Sequence, residues 1–132
     1  DIGVYIGNEY KNSDVGPGRG LQLEYGAHKG RILFIAHHGA YQVDVIWYSD
    51  DHGQTYKLSE STFPHMDEAQ LVELTNGSVV ANMRNNHYFQ TSNGDSYRGY
   101  AISNDGGVTF TNATADYPTL ISPVCMATIL GY

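Results

Sequence analysis

Ser49-Asp50-Asp51-His52-Gly53-Gln54-Thr55-Tyr56 returns 54 positions later as Ser103-Asn104-Asp105-Gly106-Gly107-Val108-Thr109-Phe110. Both stretches spell Ser-x-Asp-x-Gly-x-Thr-aromatic. A motif recurring at a period of roughly 50 residues marks a chain built from stacked supersecondary units such as propeller blades.

The residue types explain why the motif recurs. Strand-forming residues precede each copy: Val43, Val45, Ile46, Trp47 and Tyr48 in one case, Tyr100, Ala101 and Ile102 in the other. An Asp early in a turn accepts hydrogen bonds from amides two or more residues on. Gly53 and Gly107 supply a position where positive φ is cheap. The threonine and the aromatic restart a strand. Ser49, Asp51, Gly53 and Thr55, with Ser103, Asp105, Gly107 and Thr109, are therefore expected to brace hairpins and to do no chemistry.

Further pairs of strands extend the pattern. Arg31 to His37 and Val43 to Ser49 lead into the first motif. Gln70 to Leu74 and Val79 to Arg84 flank Thr75-Asn76-Gly77-Ser78, and Asn-Gly between apolar alternations is a strong hairpin signal. Tyr97 to Ser103 leads into the second motif, and Val124 to Leu130 reads as the opening strand of another unit. The expectation is an all-β chain, a partial β-propeller of about two to three blades with antiparallel four-stranded blades. Residues 1–132 then form one unit: a blade with the 49–56 motif, a blade with the 103–110 motif, and the start of a next blade at 123–132. Propellers close with roughly 4–8 blades, so remaining propeller segments or other chains are expected to complete the ring.

Composition agrees. The 132 residues are 41% hydrophobic and 16% charged, with 15 glycines and 11 tyrosines, as suits short strands and tight turns. A net charge of −7 argues against nucleic acid or an anionic membrane surface as partner. Cys125 is the single cysteine, so no internal disulfide forms. Asn76-Gly77-Ser78 and Asn112-Ala113-Thr114 are glycosylation acceptor triplets, which lean toward a secretory, lysosomal or extracellular setting. The chain opens at Asp1 without a methionine and is expected to be a piece of a longer protein.

Around the repeats lie further recognisable stretches. Gly16-Pro17-Gly18-Arg19-Gly20-Leu21-Gln22 resembles the Gly-Pro-Gly-x-Gly-(Ile/Leu)-Gln segment of sialidases, and the two repeats resemble their Asp boxes. Asp67-Glu68-Ala69-Gln70-Leu71-Val72-Glu73-Leu74, continuing to Met83-Arg84-Asn85, resembles the segment that carries the family's catalytic glutamate and one substrate-binding arginine. The resemblance implies a six-bladed propeller and an exo-α-sialidase, a glycosidase that hydrolyses terminal sialic acid from glycoproteins or glycolipids with retention. It implies Glu68 as the base toward a tyrosine nucleophile, the exception to the two-carboxylate rule of glycosidases. It implies Arg84 as a reader of the sialic acid carboxylate, a task that suits a planar guanidinium fork. Gln22, at the end of the Gly-Pro-Gly loop, is a substrate-binding candidate, and Arg19 a loop charge near the site. No organic cofactor or metal is implied.

None of the tyrosines matches the nucleophile, and the acid/base Asp and two further arginines have no match. The isolated 132 residues are therefore expected to be inactive. Read without the resemblance, Glu68 is a solvated loop residue and Glu73 a strand-surface charge. His37 and His38 point to opposite faces of a strand and do not share a metal. His28, His65 and His87 are expected to face solvent, and Cys125 to be a buried, inert thiol. The rival function is a non-catalytic Asp-box propeller segment that binds a glycan or protein partner or serves a structural role.

Overall fold

The computed structural model describes residues 13–39, 42–86, 88–89, 94–122 and 124–131. Nine strands run through them, and no helix occurs among the described residues: β1 (Ser13–Val15), β2 (Leu21–Gln22), β3 (Ile32–His38), β4 (Val43–Ser49), β5 (Lys57–Pro64), β6 (Met66–Glu73), β7 (Val79–Asn85), β8 (Gly99–Ser103) and β9 (Thr114–Ala115). All pairings are antiparallel and form two sheets. The first runs β1-β3-β4-β5 with β2 also on β3, and the second β6-β7-β8-β9.

Each sheet is a meander in which β3 and β4, or β7 and β8, are the middle strands. In the first, β1 and β2 share one edge position: β1 pairs with residues 36–38 of β3 and β2 with residues 32–33. The result is a blade four strands wide whose edge beside β3 is in two pieces. This is the partial propeller expected from the repeat.

The sheets pack face to face. Leu33, Ile35, Ile46, Tyr48 and Phe63 of the first meet Met66, Leu71, Val79, Ala81 and Met83 of the second in one buried cluster. Small alanines at 69, 81 and 101 let the larger chains of the opposing sheet interdigitate. A second cluster of Ala36, Val45 and Trp47 lies on the other face of the first blade, closed by Tyr56 and Leu58.

Two readings of the sequence change here. Val124 to Leu130 is not a strand: 124–131 runs irregularly past β6, with the Thr128 hydroxyl donating to Gln70 Oε1 at 3.1 Å. The segment meets β6 through the Gln70 side chain, whose Oε1 also accepts the Ile129 amide at 3.4 Å, and makes no strand pairing among the described residues. Cys125 is exposed, not buried. His87 and residues 1–12 fall outside the described residues.

Candidate functional site

Antiparallel register gives each blade two ends. In the second blade, Asp67 pairs with Arg84 at one end of β6 and β7. At the other, Glu73 pairs with Val79, which in turn pairs with Ser103, the first residue of the second Asp box. Glu68 and Arg84 thus lie at the end away from the boxes.

Glu68 is the extra residue of a β-bulge, since the register jumps between Asp67 and Ala69. Its φ is 24°, a costly conformation for a side chain with a Cβ. The amide freed by the bulge donates to Asp67 Oδ1 at 2.8 Å, which supports the kink. The bulge aims the Glu68 carboxylate at Arg84, whose Nη1 donates to Glu68 Oε2 at 2.6 Å. The same nitrogen lies 3.6 Å from Asp67 Oδ2. Both side chains of the pair stay partly open, 29% for Glu68 and 15% for Arg84. A bulge that re-aims a strained carboxylate is typical of a functional position.

A buried polar layer backs this pair. His37 Nδ1 of the first blade stands 3.5 Å from Asp67 Oδ1. Asp44, paired with His37 across β3 and β4, is 1% exposed. Neither of its carboxylate oxygens has a hydrogen-bond partner among the described residues. Burial pushes the Asp44 carboxyl well above the usual carboxylate range, the nearby Asp67 pushes the same way, and Arg98 opposes them. Arg98 is 4% exposed, donating through Nε to Asn82 Oδ1 and through Nη1 to the Cys125 carbonyl, both at 2.8 Å. Burial lowers its pKa; Glu68 and Asp44 counter that, and Arg84 adds to it. Two guanidiniums thus face Glu68, Asp67 and Asp44. No group of three or more His, Cys, Asp or Glu arranged to hold a metal occurs among the described residues.

The opposite end holds a different set. Gln22 pairs with Ile32, and Ile32 with Ser49 of the first box, which puts Gln22 at the box end. Its Nε2 donates to the Gly30 carbonyl at 3.3 Å. With Arg19, Glu24 and Glu73 it lines an open cleft of about 730 Å³. Glu73 lies five positions past Glu68, about 16 Å along the strand at ~3.3 Å per residue. The structure therefore separates Gln22 and Arg19 from Glu68 and Arg84. The physical reason is register: the Gly-Pro-Gly loop returns on to β3 at its box end, leaving only its start near the middle of β6, where Gln70 Nε2 reaches the Pro17 carbonyl.

Glu73 is not a surface charge. It is 9% exposed, and its carboxylate accepts the Glu24 amide at 2.6 Å and the Tyr25 amide at 3.1 Å, tying one blade to the other. His28, expected in solvent, packs beside Gly106, whose backbone leaves room for the imidazole. In the boxes Asp51 Oδ1 accepts the Ser49 hydroxyl and the Thr55 amide, both at 2.8 Å, and Ser49 Oγ accepts the Gly53 amide at 2.8 Å. Asp105 Oδ1 accepts the Ser103 hydroxyl at 2.7 Å and the Thr109 amide at 2.9 Å, and Ser103 Oγ the Gly107 amide at 2.8 Å.

The chain also has relatives among known proteins. A sialidase of Micromonospora viridifaciens is 41% identical over 103 residues, 75% of this chain and 15% of that protein. The chain is sialidase-like. A sialidase of Bacteroides fragilis is 31% identical over 116 residues, covering 88% of the sialidase-like chain and 20% of its own length. The solved leech intramolecular trans-sialidase, complexed with 2,7-anhydro-Neu5Ac, superposes on 83% of the chain and 16% of its own with a TM-score of 0.65 at 27% identity. No protein-family model matches the chain. The sialidase-like chain spans about 15–20% of the length of these curated relatives.

For His37, Asp44, Asp67 and Arg98 the sequence alone gives no place at this site. Asp44 had one available signal, a carboxylate inside the apolar run Val43 to Tyr48. The others become neighbours only when two blades meet.

Proposed function

We propose that this sialidase-like segment supplies the glutamate and one arginine of an exo-α-sialidase site that hydrolyses terminal sialic acid from glycoproteins or glycolipids with retention. The observation that carries this reading is the bulge-borne Glu68 carboxylate 2.6 Å from the Arg84 guanidinium, at the blade end away from the boxes. In this reading Arg84 reads the sialic acid carboxylate through charge-assisted hydrogen bonds. Glu68 takes the proton of a tyrosine hydroxyl as that oxygen attacks the anomeric carbon. The glycosidic bond breaks, the leaving alcohol takes its proton from the acid/base Asp, and water then releases the sialic acid and returns the tyrosine proton. A neutral phenol avoids setting an anionic nucleophile against the substrate carboxylate. The Glu68–Arg84 contact keeps the carboxylate oriented, and binding the substrate carboxylate redistributes that contact.

The nucleophile, the acid/base Asp and the other arginines come, on this reading, from remaining propeller segments or other chains, so the 132 residues alone turn over no sialoside. The test is a fluorogenic sialoside assay on the full-length polypeptide that carries these residues. Wild type turns over, whereas Glu68→Gln and Arg84→Ala each lower kcat/KM by about 10²–10⁴. An active wild type with both variants at wild-type rates overturns the assignment. A wild type that binds sialoglycans without turnover establishes the non-catalytic rival.

A further inference from the structure

Arg84 is followed by Asn85, which is 1% exposed and organises the first part of the β7–β8 connection. Its Oδ1 accepts the amides of Tyr88 at 2.6 Å and Phe89 at 2.9 Å. Its Nδ2 donates to Ser96 Oγ at 2.8 Å and to the carbonyls of Phe89 and Tyr97, each at 3.1 Å. One buried amide thus fixes the backbone that carries Tyr88. The Tyr88 ring then lies flat on His65, with centroids 4.8 Å apart and planes 11° apart, and meets the Phe89 ring at 5.1 Å and 64°. His65 is itself held, at φ 64°, as the single residue between β5 and β6, its carbonyl accepting the Asn86 amide at 3.1 Å.

Despite this mounting, Tyr88 is 61% exposed. An open ring contributes little by burial, so the fold alone does not account for holding it this firmly. Its position does. Met66 pairs with Asn85, which joins the roots of both rings at the blade end that bears Glu68 and Arg84. Tyr88 follows Arg84 by four positions and His65 precedes Glu68 by three.

We propose that the Tyr88–His65 stack is a saccharide platform that holds the sugar to which the terminal sialic acid is attached. This rests on the sialidase reading above and adds to it the class of leaving group. A hexose presents a face of C–H bonds, which packs on an aromatic ring whose face is electron-rich. A ring already stacked and pinned loses little further freedom on taking such a ligand. The acid's carboxylate goes to Arg84, so its linked sugar points out of the site, where an open ring and not a closed pocket meets it.

The experiment compares 3′-sialyllactose with methyl α-sialoside as substrates of the full-length polypeptide, for wild type, Tyr88→Ala, Tyr88→Phe and His65→Ala. Tyr88→Ala and His65→Ala raise KM for sialyllactose about 3–10-fold more than KM for the methyl sialoside, with kcat nearly unchanged. Tyr88→Phe, which keeps the ring, restores the wild-type ratio. Equal effects on both substrates, or none on either, from an active enzyme overturn the platform and leave the sialidase reading standing. A wild type that cleaves neither substrate removes both.

Discussion

Glu68 and Asp44 show two ways in which a carboxylate departs from its ordinary behaviour. Glu68 has an unusual backbone: its φ of 24° persists because Asp67 and the β7 pairing on either side hold the bulge. Asp44 has an ordinary strand backbone and an unusual environment, buried without a hydrogen-bond partner among the described residues and beside Asp67. Its folded-state pKa is raised, so the folded chain favours the neutral acid. That contribution is complete below the unfolded value of about 3.9 and is lost as pH rises toward the folded value. Asp44→Asn, which never ionises, is therefore expected to gain stability relative to wild type between pH 4 and pH 7. Urea denaturation at the two pH values measures this, and a pH-independent difference counts against a neutral Asp44.

At the scale of the element, the Asp box is a turn whose side chains replace the missing ladder. Its glycines differ in what they tolerate. Gly107 has φ +89°, and a Cβ there would run into the Leu33 side chain, a core residue. Gly94 has nearly the same φ, +85°, with nothing within 4 Å. Both pay the positive-φ cost on gaining a side chain, and only Gly107 adds overpacking. Gly107→Ala is expected to destabilise by about 1–3 kcal/mol more than Gly94→Ala. Thermal melts of the pair decide it, and equal losses mean that Leu33 yields without strain. Much of the box was legible in advance because Ser, Asp, Gly and Thr act on their own local backbone. The first box announces a strand after Tyr56, but the extent of β5 is not legible, since Lys57 to Pro64 mixes polar and apolar residues without a clean alternation.

Across the whole molecule, the second box also clamps the two blades. Arg31 donates to the Gly106 carbonyl at 2.9 Å while holding Asp50 at 2.7 Å, and Phe110 donates its amide to Ser61 Oγ at 2.8 Å. The pH response of the boxes is thus a response of the assembly. The Thr55 hydroxyl, then its amide and Ser49, hold Asp51 down at about 2. For Asp105 burial pushes upward, but the Thr109 hydroxyl and amide with Ser103 outweigh it, and the carboxyl is lowered. Lowered carboxyls add stability that is present above about pH 3.9 and lost as pH falls toward 2. The stability gap between wild type and the Thr55→Val/Thr109→Val double variant is expected to be open at pH 5 and to close toward pH 2. Denaturation midpoints across that range test it, and a gap of constant size refutes the linkage.

Period, alternation and turn chemistry are properties of neighbours along the chain, and they suffice for antiparallel strands, two boxes and a propeller-like repeat. The Glu68-to-Arg84 spacing was visible on the same terms, because one hairpin carries both residues. Which end of a blade a residue occupies, and what stands behind it in the next blade, is set by register and sheet-to-sheet packing. That is why Gln22 moved to the box end, Glu73 became an inter-blade acceptor, and His37, Asp44, Asp67 and Arg98 gathered behind the glutamate. Contacts between residues far apart in sequence have no local signature, and only the folded chain brings them within hydrogen-bond and Coulomb range.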